Sequence, residues 1–145
     1  MTESPVHLLD VNVLISLLDQ DHVHNQRAGE WFDIPGLRWS LCAFTEAGIL
    51  RFFTRPKTAG MSVEQVSAML ESLRQQPGYN YLPLAADWHE LTKPFSKRLH
   101  GHNQVTVAYL LGLAIRQAMV LTTFDRALLH MAGEHKRHVL VLEGD

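Results

Sequence analysis

A three-layer α/β/α sandwich around a mainly parallel sheet is the fold this sequence predicts, from three observations. Short apolar runs without helical periodicity recur along the chain, and longer stretches with a helix's apolar spacing separate them. Acidic residues stand just beyond several of those runs, at Asp10, Glu46 and Asp125. Strands and helices that alternate in this way imply parallel strands joined by crossover helices, which then cover both faces of the sheet. At 145 residues and 46% hydrophobic composition, the chain reads as one domain over 1–145, large enough to bury a core.

The elements come in a regular order. Val6 to Leu9 is a short buried strand, and the stretch from Asn12 to Leu18 carries a helix's apolar content. A second helix runs from about His24 to Phe32 and stops before Pro35-Gly36. Trp39 to Cys42 is the second strand. The next helix has Glu46 in its first turn and ends at Arg55, because the residue before Pro56 is pushed out of the α region. Ser62-Val63-Glu64-Gln65 reads as a capping box that opens a helix closed by Pro77-Gly78. Tyr79 to Leu84 is a third strand. Asp87-Trp88-His89-Glu90 is a second capping box, and Pro94 kinks or ends the helix that this box opens. Asn103 to Gln117 is the longest helix, succeeded by a strand at Met119 to Thr122, a short helix at Ala127 to Met131 and a last strand at Val139 to Leu142.

Composition bounds the function. A formal net charge of -2 means that a nucleic-acid partner has to be held by a local basic patch. The single cysteine, Cys42, excludes an internal disulfide framework and fits a reducing compartment. No basic region precedes the first apolar run, and no stretch approaches the ~18 apolar residues of a membrane span. A cytoplasmic protein is expected.

Each acid has an ordinary role when taken alone, since Asp and Glu favour helix N-caps and first turns. Together they mark the ends of strands, where an open α/β sheet binds its ligands, and their carboxylates are expected to converge on one point. Converging carboxylates repel unless a cation lies between them. The cation suited to a small all-oxygen site is Mg²⁺ or Mn²⁺, whose usual work is on phosphates. Asn12 and Thr123 lie close enough along the chain to hydrogen-bond and orient Asp10 and Asp125. Arg51, Arg55 and Lys57 cluster after the Glu46 helix, and Lys93, Lys97 and Arg98 lie in the kinked segment; both groups suit phosphates, although exposed charge is the default for each. His22, His24, His100 and His102 have close spacings but no cysteine and no helical i, i+4 pair, so solvated loop histidines are expected.

Four segments carry a resemblance: Leu9-Asp10-Val11-Asn12-Val13-Leu14-Ile15, Thr45-Glu46, Asn103-Gln104-Val105-Thr106 and Leu121-Thr122-Thr123-Phe124-Asp125-Arg126. In order and separation the chain resembles the PIN-domain family, and within it the VapC ribonuclease toxins of bacterial toxin–antitoxin pairs. The resemblance implies a PIN-like fold and a Mg²⁺-dependent endoribonuclease acting on structured RNA such as tRNA or rRNA. It also implies a homodimer and a VapB-type antitoxin partner. The family carries a further Asp directly after the third segment, and here that position is Val107. An isopropyl group offers no oxygen to a metal. With Leu110, Leu111 and Ala114 it instead continues a helical apolar stripe. Asn103, one turn earlier, can supply a neutral carbonyl oxygen but not the lost charge.

In this functional reading Asp10 binds the metal directly and Asp125 directly or through water, Glu46 orients or deprotonates the attacking water, and the Arg51, Arg55 and Lys57 cluster holds the phosphates of RNA. A chain left incomplete by Val107 would instead be an RNA- or antitoxin-binding module. A phosphatase of the haloacid dehalogenase type ranks third, because the acid/base it needs two residues after Asp10 is here Asn12.

Overall fold

The computed structural model describes residues 4–84, 86–99, 101 and 104–143. Val6–Leu9 (β1), Arg38–Leu41 (β2), Tyr79–Tyr81 (β3), Val120–Thr123 (β4) and Val139–Val141 (β5) form one sheet in the order β3-β2-β1-β4-β5. Every pairing is parallel, so the sheet expected to be mainly parallel is wholly so. β1 lies at the centre, with His7 opposite both Trp39 of β2 and Val120 of β4.

The helices are Val11–Leu18 (α1), Asn25–Phe32 (α2), Ala43–Thr54 (α3), Val63–Arg74 (α4), Trp88–Thr92 (α5), Val105–Arg116 (α6) and Ala127–Ala132 (α7). Successive residues of a strand face opposite sides of a sheet. Leu8 accordingly packs into a core with Leu91 of α5, Leu110 of α6 and Leu128 of α7, and Leu9 into a second core with Leu14 of α1, Trp31 of α2, Ile49 of α3 and Leu70 of α4. Burial on both faces is why β1 reads as a continuous apolar run rather than an alternating one.

Local chemistry sets the boundaries. The Ser62 hydroxyl accepts from the Gln65 amide and the Gln65 side chain accepts from the Ser62 amide, a complete capping box. Arg55 is extended before Pro56. The second expected capping box is only half made. Asp87 accepts from the Glu90 amide at 2.8 Å, but the Glu90 carboxylate is engaged by Arg116 of α6 at 2.7 Å. Pro94 then converts the helix into a 3₁₀ segment, Lys93–Arg98. β3 stops at Tyr81 instead of reaching Leu84, because Pro83 cannot donate to the ladder of an edge strand. α6 has 12 residues, as do α3 and α4; its expected start at Asn103 lies outside the described residues.

Candidate active site

Asp10 ends β1 and caps α1. Its backbone is extended, its amide donates to the Thr122 carbonyl at 2.9 Å, and its Oδ1 accepts from the Val11 amide at 2.7 Å. On the neighbouring strand, the Thr123 hydroxyl donates to Asp10 Oδ2 at 2.7 Å. That hydroxyl oxygen of Thr123 also accepts from Asn12 Nδ2 at 3.2 Å and from the Asp125 amide at 3.0 Å. Asn12 Oδ1 in turn accepts from the Phe124 amide at 3.2 Å, and Asp125 Oδ1 accepts from the Ala127 amide. Asp10 and Asp125, 115 positions apart in sequence, are thus tied through one buried hydroxyl to the carboxyl ends of two adjacent strands. Phe124, between them in this chain of bonds, stacks on His24 with centroids 4.5 Å apart.

Only 3% of Asp10 is exposed. Burial pushes its carboxyl above the ordinary range; the Thr123 and Val11 hydrogen bonds oppose this, and the nearby charge of Asp125 adds to it. Repulsion between the clustered acids is therefore present, though desolvation is the larger cause.

Glu46 departs from the expected convergence. Thr45 donates its hydroxyl to the Leu9 carbonyl at 3.3 Å and so pins the first turn of α3 beside the end of β1. The Glu46 carboxylate, however, is in an ion pair with Arg74, the last residue of α4. Among the described residues no group of three His, Cys, Asp or Glu side chains comes together as a metal-binding set. Two of the three acids are joined and the third is held aside. Sequence reasoning did not single out Arg74; its only local signal is the i, i+3 partner Glu71 at 3.0 Å.

A cleft of about 290 Å³ opens on Asp10 and is walled by Val11, Ile15, Phe44 and Phe52, with Val107 on its α6 side and Arg51 and Arg55 on its α3 side. Gly48 allows the close approach of α1 to α3 that shapes it: a Cβ there would stand 2.8 Å from a Val11 methyl. Val107 is half-buried; it packs against the core as its stripe predicts and also lines the cleft. Arg51 and Arg55 are exposed and pair with no carboxylate among the described residues. Lys57, exposed in the turn after α3, does not line the cleft, and Asn103, His100 and His102 lie outside the described residues. Arg98, considered for phosphate, instead donates to the Met131 and Ala132 carbonyls at the end of α7. A larger groove of about 560 Å³ between α1 and α4 is lined by Leu, Met, Phe and Gln side chains and holds no charged group.

No family model matches the chain. Ribonuclease VapC38 of Mycobacterium tuberculosis (strain ATCC 25618 / H37Rv) is 35% identical over 133 residues, covering 90% of this chain and 92% of the relative. Ribonuclease VapC44 of the same strain is 34% identical over 139 residues, covering 93% and 98%. Among solved structures, VapBC2 from Rickettsia felis bound to a promoter DNA fragment aligns with a TM-score of 0.68 at 12% identity, over 97% of this chain and 99% of that one. Mycobacterium tuberculosis VapC20, a sarcin-ricin loop cleaving toxin, aligns with a TM-score of 0.64 at 10% identity, over 88% and 95%. At such identities these two show the fold alone.

Proposed function

The chain belongs to the VapC ribonuclease family, and from that premise we propose that it is the toxin of a toxin–antitoxin pair, a Mg²⁺- or Mn²⁺-dependent endoribonuclease weakened by Val107. The observation that carries the reading is Asp10, tied to Asp125 through Thr123 and lining a cleft edged by Arg51 and Arg55. The residues fit such an ion loosely. Asp10 and Asp125 are hard oxygen donors, and Mg²⁺ is commonly held by one or two carboxylates with water completing its shell. When bound, the ion would acidify a water and offset charge on the phosphate oxygens.

The chain's own groups do the rest of the work in phosphodiester hydrolysis. Val11 and Thr123 fix both Asp10 oxygens, and Asn12 fixes Thr123. Glu46, when free of Arg74, orients the attacking water or takes its proton. Arg51 and Arg55 hold phosphates on either side of the reacting one, with Lys57 contributing beyond the cleft. The substrate in this reading is structured RNA, tRNA or rRNA, in the cytoplasm. The partner is a VapB-type antitoxin, whose basic side chain would pair with Asp10 in the cleft. That partner is supported by VapBC complexes among the structures sharing this fold, including those from Salmonella typhimurium and Haemophilus influenzae. No described helix is long and apolar enough to cross a membrane. The toxin is taken to act as a homodimer, as in the family it resembles.

Val107 supplies the test. Losing one charged group that stabilises a transition state typically costs ~10²–10³ in rate, so Val107→Asp should raise Mg²⁺-dependent RNA cleavage by about that factor. If the unchanged chain cleaves as fast as this variant, position 107 has been misassigned. An apolar Val107 inside the cleft also favours a second reading, an RNA- or antitoxin-binding module. That reading stands if Val107→Asp binds RNA yet does not cut it.

A further inference from the structure

Since Val107 brings no oxygen to the cleft, a third carboxylate beside Asp10 and Asp125 would have to come from Glu46, in the first turn of α3. Thr45 already pins its backbone beside β1. Its carboxylate is instead gripped by Arg74, whose other arm is held by Glu71 at 3.0 Å, and Glu71 also accepts from Gln75 Nε2 at 3.2 Å. We propose that Arg74 is a positioning residue that divides Glu46 between two arrangements, held on α4 or released to the acid pair. The proposal rests on the metal-dependent reading above.

Three features make the exchange inexpensive. Arg74 and Glu46 side chains are 28% and 20% exposed, so the pair is not sealed from water and each group can be rehydrated when it opens. Each group keeps a local stabiliser once the pair is open. Glu46 lies in the first turn of α3, where the helix dipole favours an anion, while Arg74 lies in the last turn of α4 and retains Glu71. A guanidinium also stays charged at any working pH, so two cations always compete for one carboxylate.

The test is Mn²⁺ titration of the full chain, tracking free Mn²⁺ by electron paramagnetic resonance. Arg74→Met should bind Mn²⁺ about two- to fivefold more tightly than the unchanged chain. Arg74→Lys should fall between them, because it keeps the charge and loses the fork. In a Glu46→Gln background, Arg74→Met should have no effect. Should Arg74→Met fail to fold, Glu71→Gln gives a test of opposite sign: it leaves Arg74 with Glu46 as its one carboxylate and should weaken Mn²⁺ binding. The proposal is overturned if Arg74→Met leaves Mn²⁺ affinity unchanged or weaker, or tightens it equally without the Glu46 carboxylate. Mn²⁺ binding that is absent, or indifferent to Asp10→Asn, would remove the metal-dependent reading itself and this proposal with it.

Discussion

At the scale of single residues, Thr123 holds the site together, because one hydroxyl serves Asp10, Asn12 and Asp125 at once. Thr123→Val would keep the volume and leave three polar groups without that partner. A loss of about 1–3 kcal/mol in stability is expected, together with a further rise in the Asp10 pKa, since the Thr123 bond is what chiefly lowers it. A ¹³C NMR titration of the Asp10 carboxyl and a denaturant melt check the two effects. The unmodified chain should show the related pH dependence in metal-free buffer. Asp10's folded pKa is raised above its unfolded value, so the folded state binds its proton more tightly. Asp10's contribution to stability is then fully present below the ordinary value of 3.8 and is lost as pH rises through the raised one. A difference in melting temperature between the chain and Asp10→Asn that does not change across that window would contradict this. Asn12 and Thr123 were legible in the sequence because each lies two residues from an acid. Arg74 was not, because its partner Glu46 is 28 positions away and only the packing of α3 on α4 joins them.

At the scale of elements, the parts that could be read were those whose boundaries are written locally. Ser62 and Gln65 form the expected capping box, Arg55-Pro56 ends α3, and the apolar runs of β1 and β4 mark the two central positions of the site. The parts that could not be read depend on neighbours: the short β3 reflects an edge position, and the missing half of the Asp87 capping box reflects Arg116 on another helix. The end of α6 offers a direct test of local energetics. The Met119 amide donates to the Ala114 carbonyl at 2.8 Å and the Ala118 amide to Ile115 at 3.3 Å, a Schellman motif with Ala118 at φ 54°. An L-residue in that left-handed region carries a steric cost that glycine avoids. Ala118→Gly should therefore stabilise the protein by roughly 1 kcal/mol, raising Tm by ~2–4 °C in a scanning melt. No gain would mean that the greater unfolded-chain entropy of glycine offsets the relief.

At the scale of the whole molecule, the distribution of charge matters more than its sum. A net charge of -2 gives RNA no general attraction, so binding has to come from where unpaired cations stand. Several are committed elsewhere: Arg74 to Glu46 and Glu71, Arg98 to carbonyls of α7, Arg116 to Glu90, and Arg126 to Glu143. Arg51 and Arg55 face the same cleft as Asp10, which places positive charge beside that acid, while Lys57 stands outside it. This arrangement predicts a salt dependence. Each cation that neutralises a phosphate of a single strand contributes about 0.7 to the slope of log K against log salt concentration. Replacing Arg51 and Arg55 together by Gln should lower that slope by about 1.4, and Lys57→Gln should lower it by less. Fluorescence anisotropy with single-stranded RNA in EDTA, across a salt series, measures this without requiring cleavage. A double variant with the parental slope would mean that the RNA backbone does not pass along the α3 side of the cleft.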